Sequence, residues 1–325
     1  MSEFGNWCLI ESDPGIFSEI IKDFGVANVQ IEELYSLQDF HRVLDSPCYG
    51  LIFLFKYNNL HKDPIGSFLP NDHEIFFAHQ KINNACATQA LINLLMNIDD
   101  PSVKISGALG EYKDFAKDLD PETRGICLSN CEAIRAVHNS FARPNFYEIE
   151  QIGSSHGDEN YHFVTYMPIG NKIVELDGLM KYPLKVATLD PGEDWMDKVR
   201  PVIQARMDRF TEGEIGFNIL AAIPNRKAAL EKEIIRMNTA NLDGSLDETI
   251  QELHEKLADE EYKQAVYRKE NIRRKFNYLP FLMELLKILA KEDKLVPLIE
   301  KEYNAAQFFD PMLTTEKILL DLKKK

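Results

Sequence analysis

The pattern of apolar and polar residues divides the first two-thirds of the chain into short helices and strands. Apolar residues recur every three or four positions in several segments, which predicts amphipathic helices over 16–24, 84–97, 107–119 and 130–141. Runs rich in β-branched and aromatic residues predict strands over 50–57, 161–168, 172–177 and 211–223. The polar or aperiodic segments 58–74 and 142–160 predict surface loops.

A hairpin turn signal, Gly170-Asn171, lies between two of the predicted strands. If these two residues form the turn, residue 169 pairs with 172 and residue 164 with Asp177. Asp177 then lies on the same face as His162 and diagonal to it, about 5–8 Å away between Cβ atoms. The register therefore predicts a hydrogen bond between this imidazole and this carboxylate.

The composition changes near Pro224-Asn225, where the chain becomes rich in Ala, Glu, Lys, Leu and Arg. We therefore predict a domain over 1–225 that carries the catalytic residues, and a helical, partner-binding module over 226–325. The module carries a strip of residues so apolar that it must be buried against something. The residues expected to bind a partner there are Leu279, Phe281, Leu282, Leu285, Leu286 and Leu289.

Composition and charge disfavour nucleic-acid binding and membrane association as functions of this chain. The net charge is −15, and residues 1–225 account for all of it with 18 basic and 33 acidic residues. Such an acidic surface disfavours direct nucleic-acid binding and favours a basic partner. No stretch resembles a membrane span or a secretory signal, so we expect no membrane partner and a location in cytoplasm and nucleus. The five cysteines are then expected to be reduced.

Cys86 is the candidate nucleophile, because a thiol near a helix start is favoured as the thiolate. His162, oriented by Asp177, is the candidate general base and acid. Gln80 precedes the thiol by six residues and is a candidate oxyanion donor together with the Cys86 amide. The order Gln, Cys, His, Asp is that of papain-like thiol hydrolases. This chemistry needs no metal or cofactor.

Each of these residues also has a purely structural interpretation. An isolated cysteine is more often a buried thiol, and an isolated glutamine more often an ordinary surface residue. Cys127 and Cys131, with His138 downstream, have a spacing that a metal site could use, but a fourth ligand is lacking. We interpret these two cysteines as buried structural thiols four positions apart on one helix.

Taken together, the motifs resemble the ubiquitin C-terminal hydrolase family, in particular its longer, proteasome-associated branch. Segment 7–14 (WCLIESDP) is similar to the family's opening, and Gln80 with 83–90 (NNACATQA) to its nucleophile motif. His162-Phe163-Val164 and 175–179 (ELDGL) resemble the histidine and aspartate motifs, and 271–289 resembles the C-terminal module of the longer branch.

The resemblance implies an α+β, papain-like fold: a central, mainly antiparallel sheet flanked by helices, with a knotted chain path, plus an all-helical C-terminal module. It also implies cleavage after the last glycine of ubiquitin, and a crossover loop over about 145–160 that limits the leaving group. Implied partners are ubiquitin conjugates, the proteasome's ubiquitin receptor subunit and a chromatin-remodelling complex.

Two positions depart from the family pattern: Gly216 replaces an expected arginine, and 303–325 lacks the usual basic tail. A ubiquitin-binding scaffold, catalytically silent without a partner, is the alternative function. Another Cys-His-Asp enzyme, such as an acyltransferase or transglutaminase, would leave 226–325 without a role.

Overall fold

The structure is a computed structural model, and it describes residues 7–301 apart from 39, 41–46, 57–64, 71–73, 142–160, 210–215 and 242–243. The predicted crossover loop over 145–160 lies outside the described residues. The described chain divides into two compact units. The first contains the sheet and the helices up to Lys275, and the second begins at Phe276.

A seven-stranded sheet forms the centre of the first unit, in the order β2-β9-β3-β6-β7-β8-β4 with every neighbouring pair antiparallel. A separate two-stranded ladder pairs β1 with β5. The strands are β1 Val26–Ala27, β2 Val29–Leu34, β3 Gly50–Lys56, β4 Ser67–Phe68, β5 Lys104–Ile105, β6 Tyr161–Ile169, β7 Lys172–Leu176, β8 Leu184–Thr188 and β9 Asn218–Pro224.

Helices cover both faces of this sheet. They are α1 Pro14–Asp23, α2 Cys86–Leu95, α3 Gly107–Ala116, α4 Pro121–Asn130, α5 Glu132–Asn139, α6 Trp195–Met207, α7 Arg226–Ala240 and α8 Asp247–Lys275. One cluster of buried apolar side chains packs α1 through α5 against one face of the sheet. Phe163 of β6 belongs to this cluster. A second cluster packs α6 on the opposite face against Val164 and Tyr166. Alternation along β6 therefore directs neighbouring residues into different layers.

The register predicted for the hairpin is confirmed. Ile169 pairs with Lys172 and Thr165 with Leu176, as a two-residue turn at Gly170-Asn171 requires. Gly170 has φ of +58°, a conformation that glycine adopts without steric cost. Helix α1 is capped by Asp13, whose carboxylate accepts a hydrogen bond from the Ile16 amide at 3.0 Å.

Two local predictions are wrong, and helix α2 lacks a side-chain cap. The segment predicted as a loop over 58–74 contains the short strand β4, which pairs with β8. The α2 helix has no side-chain cap, because Asn84 donates instead to the carbonyl of Trp7 at 2.9 Å. Cys127 and Cys131 do not share one helix, since α4 ends at Asn130, and both thiols are half-buried rather than buried.

Helices α7 and α8 follow the predicted boundary near 225, yet both belong to the first compact unit. Polar contacts fasten α8 to α1: Asn271 donates to the Gly15 carbonyl at 3.0 Å, and Arg274 pairs with Asp13 at 2.9 Å. This arrangement does not test whether 226–325 acts as a partner-binding module, so that division stays a prediction.

The second unit contains helix α9, Leu279–Lys291, and a helical segment over 295–301. Pro280 lies in the first turn of α9, where its missing amide costs no hydrogen bond. The predicted strip is exposed over most of its length: Leu285 is 38% exposed and Phe281 61% exposed. Within the described residues, no helix combines the length and apolar character needed to cross a bilayer.

Candidate active site

The candidate nucleophile begins helix α2. A 3₁₀ turn over Asn83–Ala85 leads into the helix, and the Cys86 side chain is 5% exposed. Helix α2 packs along β6, where the Thr165 hydroxyl donates to the Ala90 carbonyl at 2.9 Å. The Cys86 sulfur is thereby held against the β6 backbone at Phe163, the residue that follows His162.

Burial dominates the ionisation of this thiol. It raises the pKa of Cys86 to about 11, although the backbone amides of Ala87, Cys86 and Phe163 each act to lower it. The amides at the helix start thus favour the thiolate as predicted, but burial outweighs them. At neutral pH the thiol is protonated, so nucleophilic attack requires a base that takes its proton.

His162 and Asp177 meet as the register predicts. The His162 Nε2 atom and the Asp177 Oδ1 atom are 2.7 Å apart, and the two residues are 3% and 2% exposed. Burial opposes the charged carboxylate, but hydrogen bonds from His162 and the Leu179 amide outweigh it and lower the pKa of Asp177. Because Nε2 faces the carboxylate, Nδ1 is the ring nitrogen suited to exchanging a proton with the thiol.

Gln80 lies beside the loop that follows Asp177. The backbone amide of Gln80 donates to the Gly178 carbonyl at 2.8 Å, and the Gln80 side chain is buried. A Cβ atom on Gly178 would lie 2.9 Å from the Gln80 Cβ and 3.1 Å from the Gln89 Cγ, closer than packed carbon atoms approach. Gly178 therefore permits the close position of Gln80. The spacing of residues along the sequence does not predict this role of Gly178.

His138, considered as a metal ligand above, has both ring nitrogens in hydrogen bonds. Nδ1 lies 2.7 Å from the Thr88 hydroxyl on α2, and Nε2 lies 2.6 Å from the Cys8 carbonyl. The described residues contain no group of three or more His, Cys, Asp or Glu side chains placed to hold a metal ion. His138 thus links the N-terminal segment at Cys8 to the helix that carries Cys86.

Comparisons with known proteins identify the family of this chain. The family model described as "Ubiquitin carboxyl-terminal hydrolase, family 1" matches residues 7–208, and that described as "Ubiquitin carboxyl-terminal hydrolases" matches residues 250–295. The chain is 52% identical over 326 residues to ubiquitin carboxyl-terminal hydrolase ubh-4 of Caenorhabditis elegans, covering 100% of both chains. The chain belongs to the ubiquitin C-terminal hydrolase family.

Two further relatives agree with this assignment. Isozyme L5 of Dictyostelium discoideum is 34% identical and covers 93% of this hydrolase and 96% of its own length. The crystal structure of Trichinella spiralis UCH37 bound to ubiquitin vinyl methyl ester is 38% identical, with a TM-score of 0.67. It covers 81% of this chain and 100% of the other.

The hydrolase is therefore a cysteine peptidase of the deubiquitinating class, with a papain-like fold and a helical C-terminal extension. Among the predicted site residues, the structure brings His162 to Asp177, Gln80 to Gly178 and Cys86 to the β6 backbone.

Proposed function

We propose that Cys86, His162, Asp177 and Gln80 together hydrolyse the bond that follows the last glycine of ubiquitin. The buried 2.7 Å contact between His162 and Asp177 carries this proposal, since it fixes an imidazole next to the strand position that contacts the Cys86 sulfur. A carboxylate that holds a histidine in one tautomer is the arrangement that activates a thiol or hydroxyl nucleophile.

The chemistry proceeds in two stages. His162 takes the proton of Cys86, and the sulfur attacks the glycine carbonyl carbon while Gln80 and the Cys86 amide stabilise the oxyanion. The tetrahedral intermediate collapses, the C–N bond breaks, and His162 returns the proton to the departing amine. Water then hydrolyses the thioester with His162 again as base, which frees the ubiquitin carboxylate and the thiol.

The raised pKa of Cys86 gives His162 its essential part in this scheme. The free enzyme holds a neutral thiol, so proton transfer to the imidazole must accompany or precede attack. The acidic first two-thirds of the chain also suit a substrate with a basic tail. The Trichinella relative was solved with a ubiquitin derivative, which supports the same substrate class here.

A fluorogenic ubiquitin C-terminal amide tests the catalytic assignment. Cys86→Ala should abolish hydrolysis while ubiquitin binding stays nearly intact, because the recognition surface is broad and the thiol is small. Cys127→Ala is the matched control, since Cys127 is a half-buried thiol on α4. Turnover by Cys86→Ala at a tenth of the wild-type rate would exclude Cys86 as the nucleophile. A wild-type chain that binds ubiquitin without turnover would favour the scaffold alternative.

The α9 strip recruits the hydrolase to the proteasome in this proposal, through the proteasome's ubiquitin receptor subunit. Leu282 and Leu286 are 42% and 45% exposed, and Phe281 is more exposed than either. Burying four or five such side chains contributes about 1.5–3 kcal/mol each before the costs of association. A helix that is apolar on nearly every side gains this energy only against a partner surface.

Leu282→Lys combined with Leu286→Lys should abolish co-purification with proteasomes while hydrolysis of the fluorogenic amide changes less than a few-fold. Ile235→Lys with Tyr262→Lys, at exposed apolar positions of α7 and α8, is the control and should still co-purify. Retained association of the Leu282/Leu286 variant would show that the strip does not recruit. We further propose a location in cytoplasm and nucleus and a chromatin-remodelling partner, which imaging and affinity purification would test.

A further inference from the structure

A buried ion pair between Arg206 and Glu175 lies close to the His162–Asp177 hydrogen bond. Arg206 of α6 places Nη2 at 2.7 and 2.9 Å from the two carboxylate oxygens of Glu175. Arg206 is 1% exposed and Glu175 is fully buried. Buried ion pairs contribute little net stability, because desolvation of both groups offsets their attraction. Their presence therefore calls for an explanation other than stability.

Strand geometry places this ion pair near the catalytic pair. Glu175 lies on β7 and reaches Arg206 of α6, and Asp177 follows two positions later, just beyond the end of the strand at Leu176. Glu175 pairs with Tyr166 in the β6–β7 register. Strand β7 thus supplies the carboxylate for the arginine, and the residue that follows the strand supplies the carboxylate for the histidine.

A ring contact connects Arg206 to the histidine. The Arg206 Cζ atom lies 5.2 Å from the centroid of the Phe55 ring. Phe55 pairs directly with His162 across β3 and β6, and their ring centroids are 5.8 Å apart at an interplanar angle of 89°. The Arg206 guanidinium therefore contacts the Phe55 ring, and the Phe55 ring packs in a T-shaped arrangement against the His162 imidazole.

The charges of these groups are coupled. Burial opposes the positive charge of Arg206, but Tyr166, Glu175 and Asp177 outweigh it and raise its pKa. Burial raises the pKa of Glu175, and Arg206 opposes that rise. Arg206 also contributes to lowering the pKa of Asp177, after the contributions of His162 and the Leu179 amide.

We propose that Glu175 and Arg206 are positioning residues for the His162–Asp177 pair: the buried guanidinium, held by Glu175, fixes Phe55 against the imidazole. This inference rests on the proposed catalytic role of His162 and Asp177. Neither Glu175 nor Arg206 is exposed enough to touch substrate, so their effect is on turnover rather than on binding.

The decisive variant is Glu175→Gln with Arg206→Met, which removes both charges and leaves neither group buried alone. We expect kcat for the fluorogenic ubiquitin amide to fall at least tenfold, with KM unchanged within about twofold. Arg206→Lys keeps a cation beside Glu175 and should retain more of kcat than the double variant. Titration with ubiquitin vinyl methyl ester sets the concentration of competent enzyme, so partial unfolding does not imitate a loss of kcat.

Arg200→Met is the matched control on the same helix. The Arg200 guanidinium pairs with Asp197 at 2.7 Å, both side chains being partly exposed, and kcat should be unchanged. In one-dimensional proton NMR, the downfield signal of the His162–Asp177 hydrogen bond should persist in Arg200→Met and shift or broaden in the double variant.

Unchanged kcat per titrated site in the double variant overturns the inference, even if its melting temperature falls. If the double variant does not fold, Glu175→Gln alone decides: a loss of at least threefold in kcat supports the inference, and a smaller change overturns it. Asp177→Asn separates this from the proposed function. If Asp177→Asn is fully active, the catalytic assignment itself fails, whereas an inactive Asp177→Asn beside a fully active Glu175→Gln defeats only the positioning role.

Discussion

His138 makes the stability of this hydrolase depend on pH in a way that can be calculated. The side chain is completely buried between α2 and the N-terminal segment at Cys8. Its Nε2 faces the Cys8 carbonyl, which can only accept, so Nε2 carries the proton and Nδ1 accepts from Thr88. The neutral ring satisfies both contacts. A second proton on Nδ1 would reverse the Thr88 contact, with the hydroxyl accepting, and would bury a positive charge.

Burial accordingly lowers the pKa of His138 to about 4, against a hydrogen bond to Cys8 that acts to raise it. An unfolded chain titrates this histidine near 6.5, so between these values the unfolded state binds more protons than the folded state. Stability is therefore complete above pH 6.5 and is lost as the pH falls towards 4. The loss is about 2 kcal/mol between pH 7.5 and pH 5, and about 3 kcal/mol when protonation is complete.

Guanidinium unfolding at pH 7.5 and pH 5 measures this difference in wild type and in His138→Gln. The glutamine loses the Thr88 contact, so we expect a cost of about 1–3 kcal/mol at pH 7.5. In return, the fall in stability between the two pH values should shrink by about 2 kcal/mol. His254→Gln, at an exposed position of α8, is the control and should keep the wild-type dependence. If His138→Gln loses as much stability on acidification as wild type, His138 is not the responsible group.

Three further predictions concern catalysis. Asp177→Asn should lower kcat by up to about 10⁴-fold through loss of orientation, measured with the fluorogenic ubiquitin amide at neutral pH; unchanged turnover would defeat the assignment. Gly178→Ala should displace Gln80 and cost about 10²–10³-fold in kcat, whereas Gly110→Ala, where the nearest atom to the new Cβ is 3.5 Å away, should leave it unchanged. Alkylation of Cys86 in the free enzyme by iodoacetamide should speed up about tenfold per pH unit from 7 to 9, because burial raises its pKa to about 11; a plateau near pH 7 would contradict this.

Much of the catalytic arrangement was predictable because it depends on local rules. A two-residue turn at Gly170-Asn171 has one register, and that register places Asp177 diagonal to His162. The position of Cys86 near a helix start follows from the apolar period of the segment after it. Short strands without a distinctive period, such as β2 and β8, and the helix α6 were not predicted, since their apolar residues face neighbours from distant parts of the chain.

The sequence by itself therefore determined the elements around the catalytic residues, the pairing of the histidine strand, and the family. Only the tertiary structure decided the charge state of the thiol and the groups behind the histidine. The helix start favours a thiolate locally, but the packing of α2 on β6 removes the sulfur from water, and desolvation outweighs the nearby amides. Arg206 reaches Glu175 across 31 positions of chain, a contact set by how α6 packs on the sheet. Burial and long-range pairing depend on which surfaces meet, and no local pattern of residues specifies that.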